Sequence, residues 1–94
     1  MKESRFEEFL RSAVKSRGGI VIKVGVFGWP DDVVVMPGKG AHGWIELKKQ
    51  GLEPEPLQWA RIASLKALGC VAEYHDSFAG IEDFCRRLAG EPQR

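Results

Sequence analysis

The stretch from Pro30 to Lys48, PDDVVVMPGKGAHGWIELK, decides how the rest of the chain is read. Two runs with strand composition, Val33-Val34-Val35-Met36 and about His42 to Lys49, flank the turn cluster Pro37-Gly38-Lys39-Gly40. Strand runs joined across so short a glycine- and proline-rich cluster form a β-hairpin. Side chains on a strand alternate between its faces, so Glu46 and Lys48 point one way and Ile45 and Leu47 the other. Asp31, at the start of the first strand, is brought towards the far end of the second. Two carboxylates and an amine then converge at one spot. Asp32 follows directly, which leaves the converging aspartate open by one residue.

Upstream, Phe6, Phe9, Leu10, Ala13 and Val14 recur at helical spacing from about Glu3 to Arg17, and Gly18-Gly19 ends that helix. The β-branched run IVIKVGVF, Ile20 to Phe27, reads as a strand broken by Gly28-Trp29-Pro30. Downstream, the loop GLEPEP (51–56) ends in a proline suited to the first turn of a helix, which runs from about Pro56 to Leu68. Gly69 stops it, Val71–His75 reads as a strand and Phe78–Leu88 as a closing helix. The order is αβββαβα, an α/β fold with a mixed sheet flanked by helices. No segment repeats or is of low complexity, and the first few residues and the tail Gly90–Arg94 read as disordered.

With 94 residues the chain is one domain, 1–94, because two cores of that size would bury too little apolar surface. Hydrophobic residues at 44% and charged residues at 29% match a soluble globular protein, with a core small enough for a homo-oligomer to be unsurprising. A formal net charge of +1 leaves the question of a nucleic-acid partner to any local basic face. Cys70 and Cys85 form no CxxC pair and have no histidine at ligand spacing, so they argue against zinc and against a disulfide scaffold. They read as reduced thiols of a cytoplasmic protein. No apolar run approaches the ~20 residues that cross a bilayer, and MKESRFEE is too charged for a secretion signal.

The converging group suits phosphodiester hydrolysis. Mg²⁺ takes oxygen ligands, commonly one or two carboxylates, with water and substrate phosphate in the remaining positions. Such a metal polarises the phosphoryl group and makes a water nucleophilic near neutral pH, and a neighbouring lysine offsets charge developing on phosphate oxygens. A lone Glu-x-Lys on a strand is more often a surface ion pair, and an aspartate after proline is a common strand start. Their order and hairpin-compatible separation tip the balance towards catalysis.

In this arrangement the chain resembles the PD-(D/E)XK nucleases, with Pro30-Asp31 followed by Glu46-Leu47-Lys48. It is most similar to their VRR-NUC (virus-type replication–repair nuclease) branch, and there to the short stand-alone phage members. The residues carrying the resemblance are Glu7, Gly18-Gly19, Lys23, Gly28-Trp29-Pro30-Asp31, Gly38–Gly40, Glu46-Leu47-Lys48 and Pro56-Leu57-Gln58. It runs from about residue 3 to residue 84. The resemblance implies a restriction-endonuclease-like core, with Asp31 and Glu46 as metal ligands and the Leu47 backbone carbonyl as a third. It implies Lys48 as the catalytic lysine, Gln58 as the site glutamine, and Glu7 as the helix carboxylate reaching the metal through water. It further implies Mg²⁺ or Mn²⁺ as cofactor and a homodimer that cuts branched DNA such as four-way (Holliday) junctions, in the cytoplasm of a bacterial host if the chain is of phage origin.

Read from the residues alone, these positions have plainer alternatives. Gln58 shares the apolar stripe of its helix with Ile62 and Leu65, where capping and a site role are evenly matched. Glu7, with Glu8 and Glu3 as substitutes, otherwise reads as a solvated helix carboxylate. Lys23 and Lys49 are candidate DNA contacts, although Lys23 equally suits an exposed strand face. Trp29 suits stacking on an unpaired base, or packing over its turn. Lys15, Arg17, Lys39, Arg61 and Lys66 are further candidates for a phosphate-binding rim, while His42 and His75 lack ligand spacing. The expected function is metal-dependent DNA endonuclease. The alternatives are a non-catalytic DNA-binding or assembly module on the same fold, and an enzyme acting on RNA.

Overall fold

The computed structural model describes residues 3–38 and 41–92, the backbone alone at 3 and 4. Its elements are α1 (Glu3–Lys15), β1 (Ile20–Lys23), β2 (Asp32–Val35), β3 (His42–Leu47), α2 (Pro56–Ala67), β4 (Val71–His75) and α3 (Phe78–Leu88). The strands form one mixed sheet in the order β1-β2-β3-β4. The first two pairings are antiparallel and the last is parallel. Parallel neighbours need a long crossover, and α2 supplies it.

Strand alternation sorts the sheet into two faces. Val34, Met36, Ile45 and Leu47 turn to one side and pack with Phe6, Leu10 and Val14 of α1 and Ile81, Phe84, Cys85 and Leu88 of α3. Trp44, Ala72 and Tyr74 turn to the other and receive Ile62 and Leu65 of α2. The helix thus covers β3 and β4, whereas Ile20 and Ile22 on the edge strand β1 stay exposed.

The hairpin register pairs Asp32 with Ile45 and Val35 with His42, and the Met36 N–H donates to Ala41 O at 2.7 Å. Within the turn between them, Lys39 and Gly40 lie outside the described residues.

β1 is shorter than the run Ile20–Phe27 predicts, ending at Lys23. The Val24 N–H still donates to Asp31 O (2.9 Å), but Gly25 then takes φ +64°, a left-handed conformation that leaves the sheet. The chain turns through Val26 and Phe27, with the Trp29 N–H bonded to Val26 O at 3.1 Å, and returns at Asp32. β3 likewise ends at Leu47 rather than about Lys49, although the Lys48 N–H still donates to His75 O.

In the tail predicted to be disordered, Gly90 and Glu91 are held. Their N–H groups bond Arg87 O and Arg86 O, and the Glu91 carboxylate takes the Arg17 guanidinium at 2.7 Å. Gln93 and Arg94 lie outside the described residues. Arg17 also reaches Glu82 (2.8 Å), so it ties the end of α1 to α3 and is occupied as a strut rather than offered to phosphates. Both cysteines are free, and burial pushes the Cys85 thiol up to about 11. Among the described residues no helix is long and apolar enough to cross a membrane.

Candidate active site

The hairpin register, carried one residue further, sets Asp31 opposite Glu46 on the α2 face of the sheet. Asp31 is anchored there: its Oδ2 accepts the Leu47 backbone N–H at 2.8 Å. Glu46 is only 2% exposed and sits between three neighbours. Gln58 Nε2 donates to its Oε2 at 2.8 Å, Lys48 Nζ lies 3.4 Å from the same oxygen, and the charge of Asp31 acts on it from β2. Burial raises the Glu46 carboxyl to about 7, and the nearby negative Asp31 adds to that rise. Lys48 and the Asp31 backbone N–H pull the other way.

Gln58 closes the helix cap and also reaches Glu46. Its Oε1 accepts the Glu55 N–H at 2.9 Å, closing a capping box at the start of α2. That bond fixes which end of the amide is oxygen, and so aims the NH₂ at Glu46.

Asp32 is on the opposite face. It is fully buried (0% exposed) under α1, where the Glu7 carboxylate is its near neighbour, with Arg11 at 3.9 Å. Burial, followed by Glu7, pushes its carboxyl up to about 7. Neither of its oxygens has an aligned hydrogen bond among the described residues. Glu7 also pairs with Arg11 (3.0 Å) and Lys23 (3.2 Å). Burial would raise it, but contact with Asp32 and Lys23 leaves it below the usual carboxylate range. Glu7 therefore belongs to a second acidic pair, with Lys23 as the link. Burial works against the charge on Lys23, yet Glu7, Asp32 and Asp31 together raise its pKa.

Among the DNA-contact candidates, Lys49 is exposed beyond the end of β3. Trp29 is half-buried against Trp44 (centroids 6.0 Å apart), with the Arg61 guanidinium over its ring at 4.8 Å, so both residues are engaged in packing. Lys15 and Lys66 are exposed near the ends of α1 and α2. His75 bonds Glu73 at 2.8 Å, beneath a bidentate Arg87–Glu73 pair that holds Glu73 down at about 2. Glu8 is exposed, and the Glu3 side chain is outside the described part.

Sequence reading missed Arg11, although it stands one helical turn after Glu7. It also missed the loop bearing Phe27, whose signal was the pair of glycines, Gly25 and Gly28, bracketing Val26-Phe27. Lys23, Asp31 and Gln58 line an open cleft of about 410 Å³ together with that loop.

The donor set can be tested against a divalent cation on one atom. Among the described residues Glu46 Oε1 is buried without an aligned hydrogen bond, and the like charge of Asp31 is nearby. A buried acceptor left over beside a second carboxylate is a place where a hard cation is favoured. Among the described residues no group of three or more His, Cys, Asp or Glu side chains of metal-binding geometry is present. A Mg²⁺-type site does not require one, since one or two carboxylates suffice.

Neither a protein-family model nor a curated protein matches the chain. Its fold is similar to a solved structure described as a VRR-NUC domain, with a TM-score of 0.80 and 24% identity, covering 87% of this chain and 91% of that one. The chain has the VRR-NUC domain fold. On this VRR-NUC scaffold the paired ends of β2 and β3 carry Asp31, Glu46 and Lys48, and the start of the crossover helix carries Gln58.

Proposed function

We propose that the chain is a divalent-metal-dependent endonuclease that hydrolyses DNA phosphodiester bonds and works as a homodimer on branched DNA such as four-way junctions. The observation that carries this reading is the buried Glu46, facing Asp31 and flanked by Lys48 and Gln58, whose Oε1 has no aligned hydrogen bond among the described residues, on a nuclease-type fold. Asp31 and Glu46 would hold Mg²⁺ or Mn²⁺, with the Leu47 carbonyl as a third donor; Glu7, held by Asp32, Arg11 and Lys23 on the α1 side, would act only through water. When bound, the cation would supply Lewis-acid polarisation of the phosphoryl group and acidify a coordinated water.

The protein's own groups account for the rest. The Leu47 N–H holds Asp31 in place, and Gln58 orients the Glu46 carboxylate. Lys48, 15% exposed, is placed to neutralise charge growing on a phosphate oxygen. Lys23 and Lys49 are assigned to the DNA backbone. The homodimer reading is supported by the part of the sheet that α2 leaves open, where Ile20 and Ile22 of the edge strand are exposed. Two sites, one per copy, suit the cutting of two strands. The two free thiols fit work in the reducing cytoplasm.

The second reading is a non-catalytic DNA-binding module on this fold. The decisive test is cleavage of labelled linear duplex, single strand, flap, four-way junction and RNA, with Mg²⁺, Mn²⁺ or EDTA. Metal-dependent cutting with preference for the junction is expected, reduced on the order of 10²- to 10³-fold in Lys48→Ala. Sedimentation at working concentration should give the mass of a dimer. A folded protein that binds DNA yet cuts no substrate with either metal establishes the second reading.

A further inference from the structure

The loop between β1 and β2 presents an aromatic ring that the fold itself does not use. Phe27 is 91% exposed, the most exposed large apolar side chain among the described residues. The loop around it is firmly held. Val24 and Asp31 close its base, Pro30 is buried, and Trp29 is packed between Trp44 and Arg61. Gly28, at φ +84°, lies so close to α2 that a Cβ there would stand 2.5 Å from Leu57 Cδ2. The tip thus projects on a fixed base, and Phe27 lines the same cleft as Lys23, Asp31 and Gln58.

An aromatic ring held out beside a phosphodiester-cutting site has one natural partner in its substrate. Every nucleobase offers a flat face, and aromatic side chains bind single-stranded segments by stacking on it. In a fully paired duplex those faces are covered by neighbouring bases, whereas a branch point or gap leaves some open. Lys23, in the same cleft, can accompany the adjoining phosphate. Trp29 is less available for this task, because its ring is engaged by Arg61 and Trp44.

We propose that Phe27 is a stacking platform for an unpaired nucleobase next to the scissile phosphate, and so a determinant of preference for branched over linear DNA. The proposal rests on the nuclease reading of the Asp31–Glu46 site and adds a base-binding position to it.

The test measures DNA binding in a Lys48→Ala background, where turnover is suppressed, and cleavage with Lys48 intact. Phe27 is replaced in each by alanine, leucine or tryptophan. Affinity for a junction carrying an unpaired base should fall roughly 10- to 100-fold with alanine and with leucine, and be retained with tryptophan. Affinity for a fully paired linear duplex should change less than about twofold, since no base face is open there. Cleavage of the junction should follow the same order.

Leucine equal to phenylalanine would show mere apolar contact and overturn the proposal. So would an equal loss on every DNA, or no loss while the parent still binds and cuts. A change in sedimenting mass with Phe27→Ala would assign the ring to a second copy of the chain instead. A parent protein that neither binds nor cuts any DNA would remove the nuclease reading as well, so the two failures are distinguishable. Because the ring is exposed, all three variants should melt with the parent, which keeps each outcome interpretable.

Discussion

Asp31→Asn is expected to lose metal-dependent cleavage by on the order of 10³-fold while staying folded and binding DNA nearly as well as the parent. The substitution is nearly isosteric. An asparagine Oδ1 can still accept the Leu47 N–H, so the hairpin keeps its geometry and only the charge is lost. What disappears is one of the two carboxylates that would neutralise a divalent cation, along with part of the repulsion that raises Glu46. The same assay on Asp32→Asn should show less than a tenfold change, because Asp32 points into the α1 side of the sheet. Equal losses in both variants would mean that the two faces are not functionally separate. A near-normal Asp31→Asn would remove the metal site altogether.

The second large effect is on stability. Asp32 and Glu46 are both raised to about 7 in the folded protein, from ordinary values near 3.8 and 4.5. A raised carboxyl stabilises the fold fully below its unfolded pKa, and that contribution is lost as pH rises through the folded value. The metal-free protein should therefore become less stable from about pH 4 to pH 7. Glu73, held down at about 2, contributes oppositely and only in more acid solution, where its pairing with Arg87 is lost below about pH 4.5. Melting in EDTA is expected to peak near pH 4 and to fall by on the order of 10 °C by pH 8, most of it before pH 7. Added Mn²⁺ should recover part of the loss at pH 8 and almost none at pH 5, because a proton and a cation would compete for Glu46. Glu46→Gln should melt higher than the parent at pH 8 and respond to no metal. A flat melting profile, or an Mn²⁺ response that survives in Glu46→Gln, would show that the cation sits elsewhere.

The parts of this fold that were legible in the sequence are those with hard punctuation. β4 and α3 have the predicted limits because Gly69 and the Ser77 cap mark where helical backbone must stop and start. The Glu46–Lys48 pair was legible because strand period places them together whatever else happens. β1 was overextended, since Val24, Val26 and Phe27 have strand composition. The left-handed Gly25 overrides composition there, and one glycine in such a run does not announce its φ. Asp31 and Asp32 could not be separated from sequence because adjacent strand residues face opposite ways. Only the register with Ile45 decides which one meets Glu46. Gln58 was balanced between cap and site for a sound reason, since one end of its amide caps α2 and the other bonds Glu46. Arg17 looked like a free cation, and only the approach of α3 and Glu91 shows where its charge goes.

The sheet order has a consequence for how the site comes into being. The acidic pair is joined by a hairpin whose Leu47–Asp31 bond spans 16 residues, while the parallel pairing of Gly43 with Val71 must wait for a loop of about 28 to close. Short loops close first, so in the folding chain Asp31 and Glu46 would meet before α2 and Gln58 arrive to hold them. Two negative charges brought together that early oppose the very nucleus the hairpin would make, unless a proton or a cation sits between them. Refolding that quickens with Mg²⁺ at pH 8, and no longer does so in Glu46→Gln, would mark the metal as an assembly aid.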